Sequence, residues 1–296
     1  SGLVSGAAVG SATITATSEG QSGTSAITVV PPSASVVLVG AGDIADCSGS
    51  GDEATAALLD NIAGTVFTAG DNVYPDGTDA QFAQCYDPSW GRHKARTRPT
   101  PGNHDYHTSS AAPYYHYFGA LAGDSGKGYY SYDIGAWHLI SLNSNVSMSA
   151  GSAQETWLRQ DLAASTKQCT IAYWHHPRFS SGTQHGSLSS AQPLWQALYD
   201  AGAEIVISGH EHNYERFAPQ TPTGTADPTR GIREFVVGTG GESHYNDEGT
   251  PLPNSEVFNG TDYGVLKLTL SAGSYTWQFI PVSGGTFTDS GSGSCH

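Results

Sequence analysis

Charge is scarce in this sequence of 296 residues. Asp, Glu, Lys and Arg together make up only 13% of it, about half the usual quarter, so surface polarity must come largely from Ser, Thr, Asn and Gly. Positive charge is scarcest: 12 Lys and Arg stand against 27 Asp and Glu, for a net charge of −15. That argues against nucleic acid or an anionic membrane surface as the main partner. An anionic substrate would need a local positive centre, which bound metal ions supply. No apolar run is long enough to span a bilayer, so membrane insertion is not expected. No signal-peptide pattern is present at Ser1, and the expectation is an exported chain whose leader is already gone. Close cysteine pairs are absent as well. Cys47, Cys85, Cys169 and Cys295 lie far apart, which excludes a zinc ribbon or a Cys-x-x-Cys redox motif. Low Lys content with abundant Gly, Ser and Thr suits a secreted or extracellular protein, where disulfides persist. Four cysteines allow three pairings. Cys47 with Cys85 and Cys169 with Cys295 is the favoured one, the second stapling the C-terminal tail; four buried thiols is the alternative.

The chain is 38% hydrophobic, enough for one large domain, or for a domain plus a fragment. Residues 1–32 differ from the rest. Residues 12–17 alternate strictly, as a half-buried strand does. Residues 18–23 turn, 26–30 form a second strand, and Pro31-Pro32 makes a stiff linker. A two-stranded hairpin is marginal in isolation, so it either docks on the remainder or is what is left of a larger module. The run Gly10-Ser11-Ala12-Thr13-Ile14-Thr15-Ala16-Thr17 resembles the C-terminal half of a group 2 bacterial immunoglobulin-like domain, a module type that implies a spacer or adhesion unit.

From residue 35 the rhythm becomes strand, polar cluster, helix, which defines an α/β domain over 33–296. Strands are expected at 35–39, 65–69, 129–134, 137–142, 170–174, 204–208, 235–237, 263–270 and 274–280. Helices are expected at 52–62, with Asp52 as N-cap, and at 78–86, 152–164 and 191–201. The aromatic stretch 106–130 reads as an irregular loop. The informative feature is where the chain changes from strand to loop. One strand ends in Gly42-Asp43 and the next in Gly70-Asp71-Asn72-Val73-Tyr74. An extended stretch then leads into Gly102-Asn103-His104-Asp105, and two further strands end in His175-His176-Pro177 and Gly209-His210-Glu211-His212. A polar cluster after one strand is a turn. Five with metal-ligand side chains, at the strand ends where α/β sheets place ligand sites, point to a dinuclear metal centre.

These motifs, with Asn213-Tyr214-Glu215-Arg216 and Val237-Gly238-Thr239-Gly240-Gly241, resemble the calcineurin-like metallophosphoesterases from residue 35 to about 280. The tyrosine three residues after Asp71 makes the resemblance one to purple acid phosphatases. It implies an α/β (α+β) four-layer αββα sandwich of two mixed β-sheets flanked by helices, preceded here by the short β-hairpin. Asp43, Asp71, Tyr74 and His212 are implied to hold one metal, ferric iron because of the tyrosine phenolate. Asp71, Asn103, His175 and His210 are implied to hold a second, Zn, Fe(II) or Mn. His104, oriented by Asp105, is implied to sit by the leaving group, and His185 falls where the family places a substrate-side histidine. Plant-type members have two adjacent histidines there; Gln184 replaces the first. His175 rather than His176 is taken as ligand because the family ligand lies two residues before the proline, which leaves His176 at the rim or behind the ligands. Arg178 faces either the phosphate or solvent. Asp46, Tyr214, Glu215 and Arg216 read as supporting residues, and His93, His107, His116, His138 and His244 as ordinary histidines. The implied activity is hydrolysis of phosphate monoesters, possible substrates including phytate, by a hydroxide held on the metals. The alternatives are a phosphodiesterase or phospholipase-like enzyme, decided by the loops 106–128 and 241–260, and a cell-surface binding protein with an inactive phosphatase core.

Overall fold

The computed structural model describes residues 10–29 and 34–296. The chain divides into two units, Ser1–Ala34 and Ser35–His296. In the first, strands Gly10–Ser18 and Gln21–Val29 pair antiparallel, Gly10 opposite Val29 and Ser18 opposite Gln21. Only Glu19 and Gly20 separate them, both at positive φ (51° and 78°), as in a two-residue hairpin turn whose twist matches its strands. The turn is thus tighter than the 18–23 segment expected. The Pro31-Pro32 linker lies outside the described residues.

The second unit holds two mixed sheets flanked by helices. In the seven-stranded sheet the order is Ser255–Asn259, Tyr214–Phe217, Arg233–Val237, Ile205–Ser208, Cys169–Tyr173, Trp137–Ser141 and Tyr130–Ile134. In the six-stranded sheet it is Ser290–Ser294, Ser274–Pro281, Gly264–Ser271, Val36–Ala41, Thr65–Thr68 and Thr97–Arg98. The central strands are parallel and buried on both faces, so they read as continuous apolar runs. Their alternate residues serve different layers. Leu139, Ile171, Ile205, Ile207, Phe235 and Val237 pack inward with Leu38, Phe67, Leu266 and Leu268 of the other sheet. Ile140, Ala172, Val206 and Val236 pack outward with Leu158, Leu194, Trp195 and Leu198, which lie on helices Ala153–Ala164 and Gln192–Asp200.

Several local expectations change. Asp52 is inside helix Gly51–Asp60, whose N-cap is Ser50, two residues before the cap expected, and Gly51 lies close against the backbone of Gly241. Residues 106–130 are not a plain loop. They contain helix Ala112–Phe118, whose Tyr114 and Phe118 pack with Phe82, Tyr86 and Tyr117 in one aromatic cluster. Strands Tyr214–Phe217, Ser255–Asn259 and Ser290–Ser294 were not expected, since their charged or Ser/Gly sequences lack strand alternation. Cys47 is bonded to Cys85 and Cys169 to Cys295, and the second bond ties the tail to the start of strand Cys169–Tyr173.

His138 is one histidine with a structural task. Its Nδ1 lies 2.8 Å from Asp133 Oδ1 and its Nε2 lies 2.8 Å from Asp161 Oδ2, which joins the Tyr130–Ile134 edge to helix Ala153–Ala164. Both ring nitrogens can donate only in the protonated ring. Burial opposes that charge, but the two carboxylates outweigh it and raise the His138 pKa above its ordinary value. A raised folded-state pKa contributes stability that is fully present below the unfolded value of about 6.5 and is lost as pH rises through the folded value. The urea midpoint is therefore expected to fall as pH rises above about 6.5, and His138→Gln should flatten that slope. Parallel pH profiles for the two proteins would contradict the assignment.

Candidate metal centre

Strand order brings the five polar strand ends together. Val36–Ala41 and Thr65–Thr68 are adjacent and parallel, so Asp43 and Asp71 emerge side by side, as do His175 and His210 from the parallel pair Cys169–Tyr173 and Ile205–Ser208. The short parallel pairing of Ala45–Asp46 with Val73–Tyr74 returns Tyr74 to Asp43. Three residues here carry side chains at positive φ: Asp43 (59°), Asp71 (48°) and His210 (71°). Such backbone strain in residues other than glycine collects at functional sites. Gly102 is obligatory at this point, because a Cβ there would lie 2.1 Å from Asp71 Oδ1.

The donor atoms form two overlapping groups. In the first, Tyr74 Oη donates to Asp43 Oδ1 at 2.8 Å and to Asp71 Oδ2 at 3.1 Å, and lies 3.2 Å from His212 Nε2. In the second, His175 Nε2 lies 3.1 Å from Asp71 Oδ2, 3.0 Å from Asn103 Oδ1 and 3.1 Å from His210 Nδ1. Asp71 belongs to both. The backs of two of the three rings are fixed as metal-site histidines usually are: His175 Nδ1 by Ala69 O at 2.9 Å, His212 Nδ1 by Ser243 O at 2.7 Å. This set of carboxylate, phenol, amide and imidazole donors fits hard and borderline metal ions.

Electrostatics point the same way. Burial would raise the Asp71 pKa, but His175 and His104 hold it well below the carboxylate range. Burial would likewise lower His175, but Asp71 and Asp43 drive it up to about 9. Burial, then the charges of Asp43 and Asp71, pushes the Tyr74 phenol far above its ordinary value. Buried anions crowded in this way call for compensating cations.

The proposed catalytic residues are less uniform. The His104 ring packs 4.3 Å from that of Tyr74, the His104 backbone N–H donates to Asp71 Oδ1 at 2.7 Å, and the ring Nδ1 lies 2.6 Å from Pro75 O. Pro75 O, not Asp105, therefore orients the ring. The buried Asp105 Oδ2 accepts from Gly102 N (2.8 Å), Asn72 Nδ2 (2.9 Å) and Asn72 N (3.3 Å), so it holds the turns that carry Asp71 and Asn103. Burial, then the Asp71 charge, pushes its pKa up to about 7. His185 stacks on His210 at 4.0 Å. His176 is more deeply placed than a rim residue. It lies in a group with His175 and His210 whose ligand atoms fall within 4.8 Å of one another, its Nδ1 is 2.7 Å from Ser144 Oγ, and burial, then His175, lowers its pKa to about 3. Arg178 is engaged by Pro222 O and the Phe179 ring. Tyr245 was missed. It lies flat on His212, 4.1 Å away, and with Asp46, Cys47, Ser48, Tyr74, His104 and Glu242 it lines a cleft of about 540 Å³. Its only signal was a position shortly after the glycine run.

The calcineurin-like phosphoesterase family matches residues 28–214, a span that holds both donor groups, and the chain belongs to that family. Within it the similarity is to purple acid phosphatases. Purple acid phosphatase 15 of Arabidopsis thaliana is 33% identical over 125 residues, 40% of this chain and 23% of that protein. Purple acid phosphatase 23 of the same plant is 29% identical over 184 residues, 55% of this chain and 40% of that protein. The matches thus span less than half the length of these relatives. Among solved structures, the purple acid phosphatase PPD1 from yellow lupin seeds superimposes with a TM-score of 0.71 at 19% identity, covering 93% of this chain and 57% of that one. GAP50, described as the anchor in the inner membrane complex of Plasmodium, gives 0.66 at 17% identity, covering 86% and 88%. These two show the shared fold.

Asp105→Ala would leave the Gly102 and Asn72 donors buried and unmatched, at a cost of about 1–3 kcal/mol for an unsatisfied group and more for several. The expected result in urea denaturation is a loss of about 2–4 kcal/mol; unchanged stability would contradict the role given to Asp105.

Proposed function

We propose that this chain is a secreted dinuclear-metal phosphatase acting on small phosphate monoesters. The observation that carries the reading is the pair of donor groups sharing Asp71. Asp43, Asp71, Tyr74 and His212 would hold the first metal, ferric iron if Tyr74 gives up its proton. Asp71, Asn103, His175 and His210 would hold the second, Zn, Fe(II) or Mn. When bound, such a pair supplies positive charge for the phosphoryl oxygens and lowers the pKa of a coordinated water.

The protein's own residues do the rest. Strained turns fix the donors before substrate arrives, so little reorganisation is needed during reaction. His104, beside Tyr74, and His185, on His210, flank the centre where a leaving alkoxide needs a proton. Both disulfides support an extracellular setting.

The cleft bears on substrate choice. Its lining includes Asp46 and Glu242 and no Lys or Arg. Five of the 12 Lys and Arg are paired elsewhere: Arg92 with Glu53 and Asp60, Lys127 with Asp124, Arg159 with Glu155 and Asp200, Arg216 and Arg233 with Glu256. A phytate-like substrate would set its remaining phosphates against these carboxylates, so a singly phosphorylated alcohol fits better. A binding role for the same fold, as for the anchor GAP50, is weakened by the two donor groups that share Asp71.

Initial rates on an aryl phosphate monoester, the matched diester and phytate, each with and without chelator, test this. The expected order is monoester first, with activity lost on chelation. A faster diester would move the function to a phosphodiesterase, and no turnover with metals present would favour a binding protein.

A further inference from the structure

Three buried glutamates converge on the segment that follows His175-His176-Pro177. Glu234 accepts from Arg178 N at 3.0 Å and Phe179 N at 3.1 Å, and Glu215 accepts from Ser181 N at 2.8 Å. Glu211 Oε1 accepts from His185 N at 2.7 Å and Gly186 N at 2.5 Å. Five backbone N–H groups of one loop thus end on carboxylates. Glu211 is fully buried, and its Oε2 has no hydrogen-bond partner among the described residues. A buried carboxylate is costly unless it is hydrogen-bonded, and here the His185 and Gly186 N–H groups supply the bonds. The loop is also shaped to admit it: a Cβ on Gly182 would lie 2.5 Å from Glu211 Oε2.

Glu211 stands between His210 and His212, and its own backbone is tied to that turn through Glu211 N to Gly209 O at 2.9 Å and Asn213 N to Glu211 O at 2.7 Å. The side chain leaves the turn that presents both histidines and grips the loop that presents His185. The result is the 4.0 Å stack of His185 on His210, 26° from parallel.

We infer that Glu211 is a positioning residue for His185: its buried carboxylate collects the two N–H groups that set the His185 backbone and so registers that imidazole against the His210 turn. The inference rests on the phosphatase reading, in which His185 serves the leaving group. Glu211 itself touches no substrate.

The test uses Glu211→Ala, Glu211→Gln, His185→Ala and the double variant Glu211→Ala/His185→Ala, with one aryl and one alkyl phosphate monoester. An aryl leaving group departs with little help, whereas an alkyl one depends on proton donation. Glu211→Ala is expected to lower kcat for the alkyl ester by about 10²-fold, the scale of a misplaced catalytic group, and to spare the aryl ester by comparison. Glu211→Gln keeps a carbonyl oxygen for the two N–H groups and should retain the wild-type alkyl-to-aryl ratio. In the His185→Ala background, Glu211→Ala should leave that ratio unchanged. Hydrogen exchange of a peptide spanning 183–188 reads the clamp independently of turnover and should quicken in Glu211→Ala at unchanged metal content. An equal loss on both esters, an additive double variant, or unchanged exchange would overturn the inference. A wild-type protein inactive on both esters would instead overturn the phosphatase reading, and that is seen before any variant is made.

Discussion

The carboxylate of Asp71 is the constraint on which the rest depends. It is buried among Asp43, Tyr74, His175 and the backbone of His104, with contacts of 2.7–3.1 Å to the last three. Placing it there takes a strained φ at Asp71 itself, a glycine at 102 to let the next turn approach, and a second at Gly70, where a Cβ would meet the His175 ring at 2.5 Å. A buried carboxylate in such a position is unfavourable by itself. The fold tolerates it because two mixed sheets hold five strand ends at one edge, and each end answers the others' charges.

A layered logic follows. The apolar alternation of the central strands fixes the sheets; the parallel order of those strands fixes which turns are neighbours; backbone acceptors such as Ala69 O, Ser243 O and Pro75 O fix ring orientation. Buried carboxylates then fix the turns, with Asp105 beneath Asp71 and Asn103, and Glu211 between the His210 turn and the His185 loop. With 12 Lys and Arg in the chain, acidic groups take much of the tethering through backbone N–H donors rather than ion pairs.

What the sequence revealed follows from this. Residues that must sit at strand ends leave a readable trace: apolar runs ending in polar clusters marked the five strand ends, the family resemblance singled out Asp43, Asp71, Tyr74, Asn103, His175, His210 and His212 among them, and the structure brings these together. Both cysteine pairs were legible too. Tertiary choices were not. The His104 ring is held by a backbone carbonyl, which no side-chain pattern marks. Tyr245 reaches His212 from a distant loop. Strand Ser290–Ser294 forms because Ser274–Pro281 offers an open edge, not because its own sequence favours strand. Helix Ala112–Phe118 was hidden because its aromatic residues pack into a cluster with residues far back in the chain.

The most direct measurement of the central claim is metal stoichiometry. Purified wild-type protein and an Asp71→Ala variant, matched for fold by circular dichroism, would be compared by elemental analysis. The account predicts two ions per wild-type chain and almost none in the variant, because the shared carboxylate serves both positions. A folded variant that keeps both ions, or that loses only one, would contradict it.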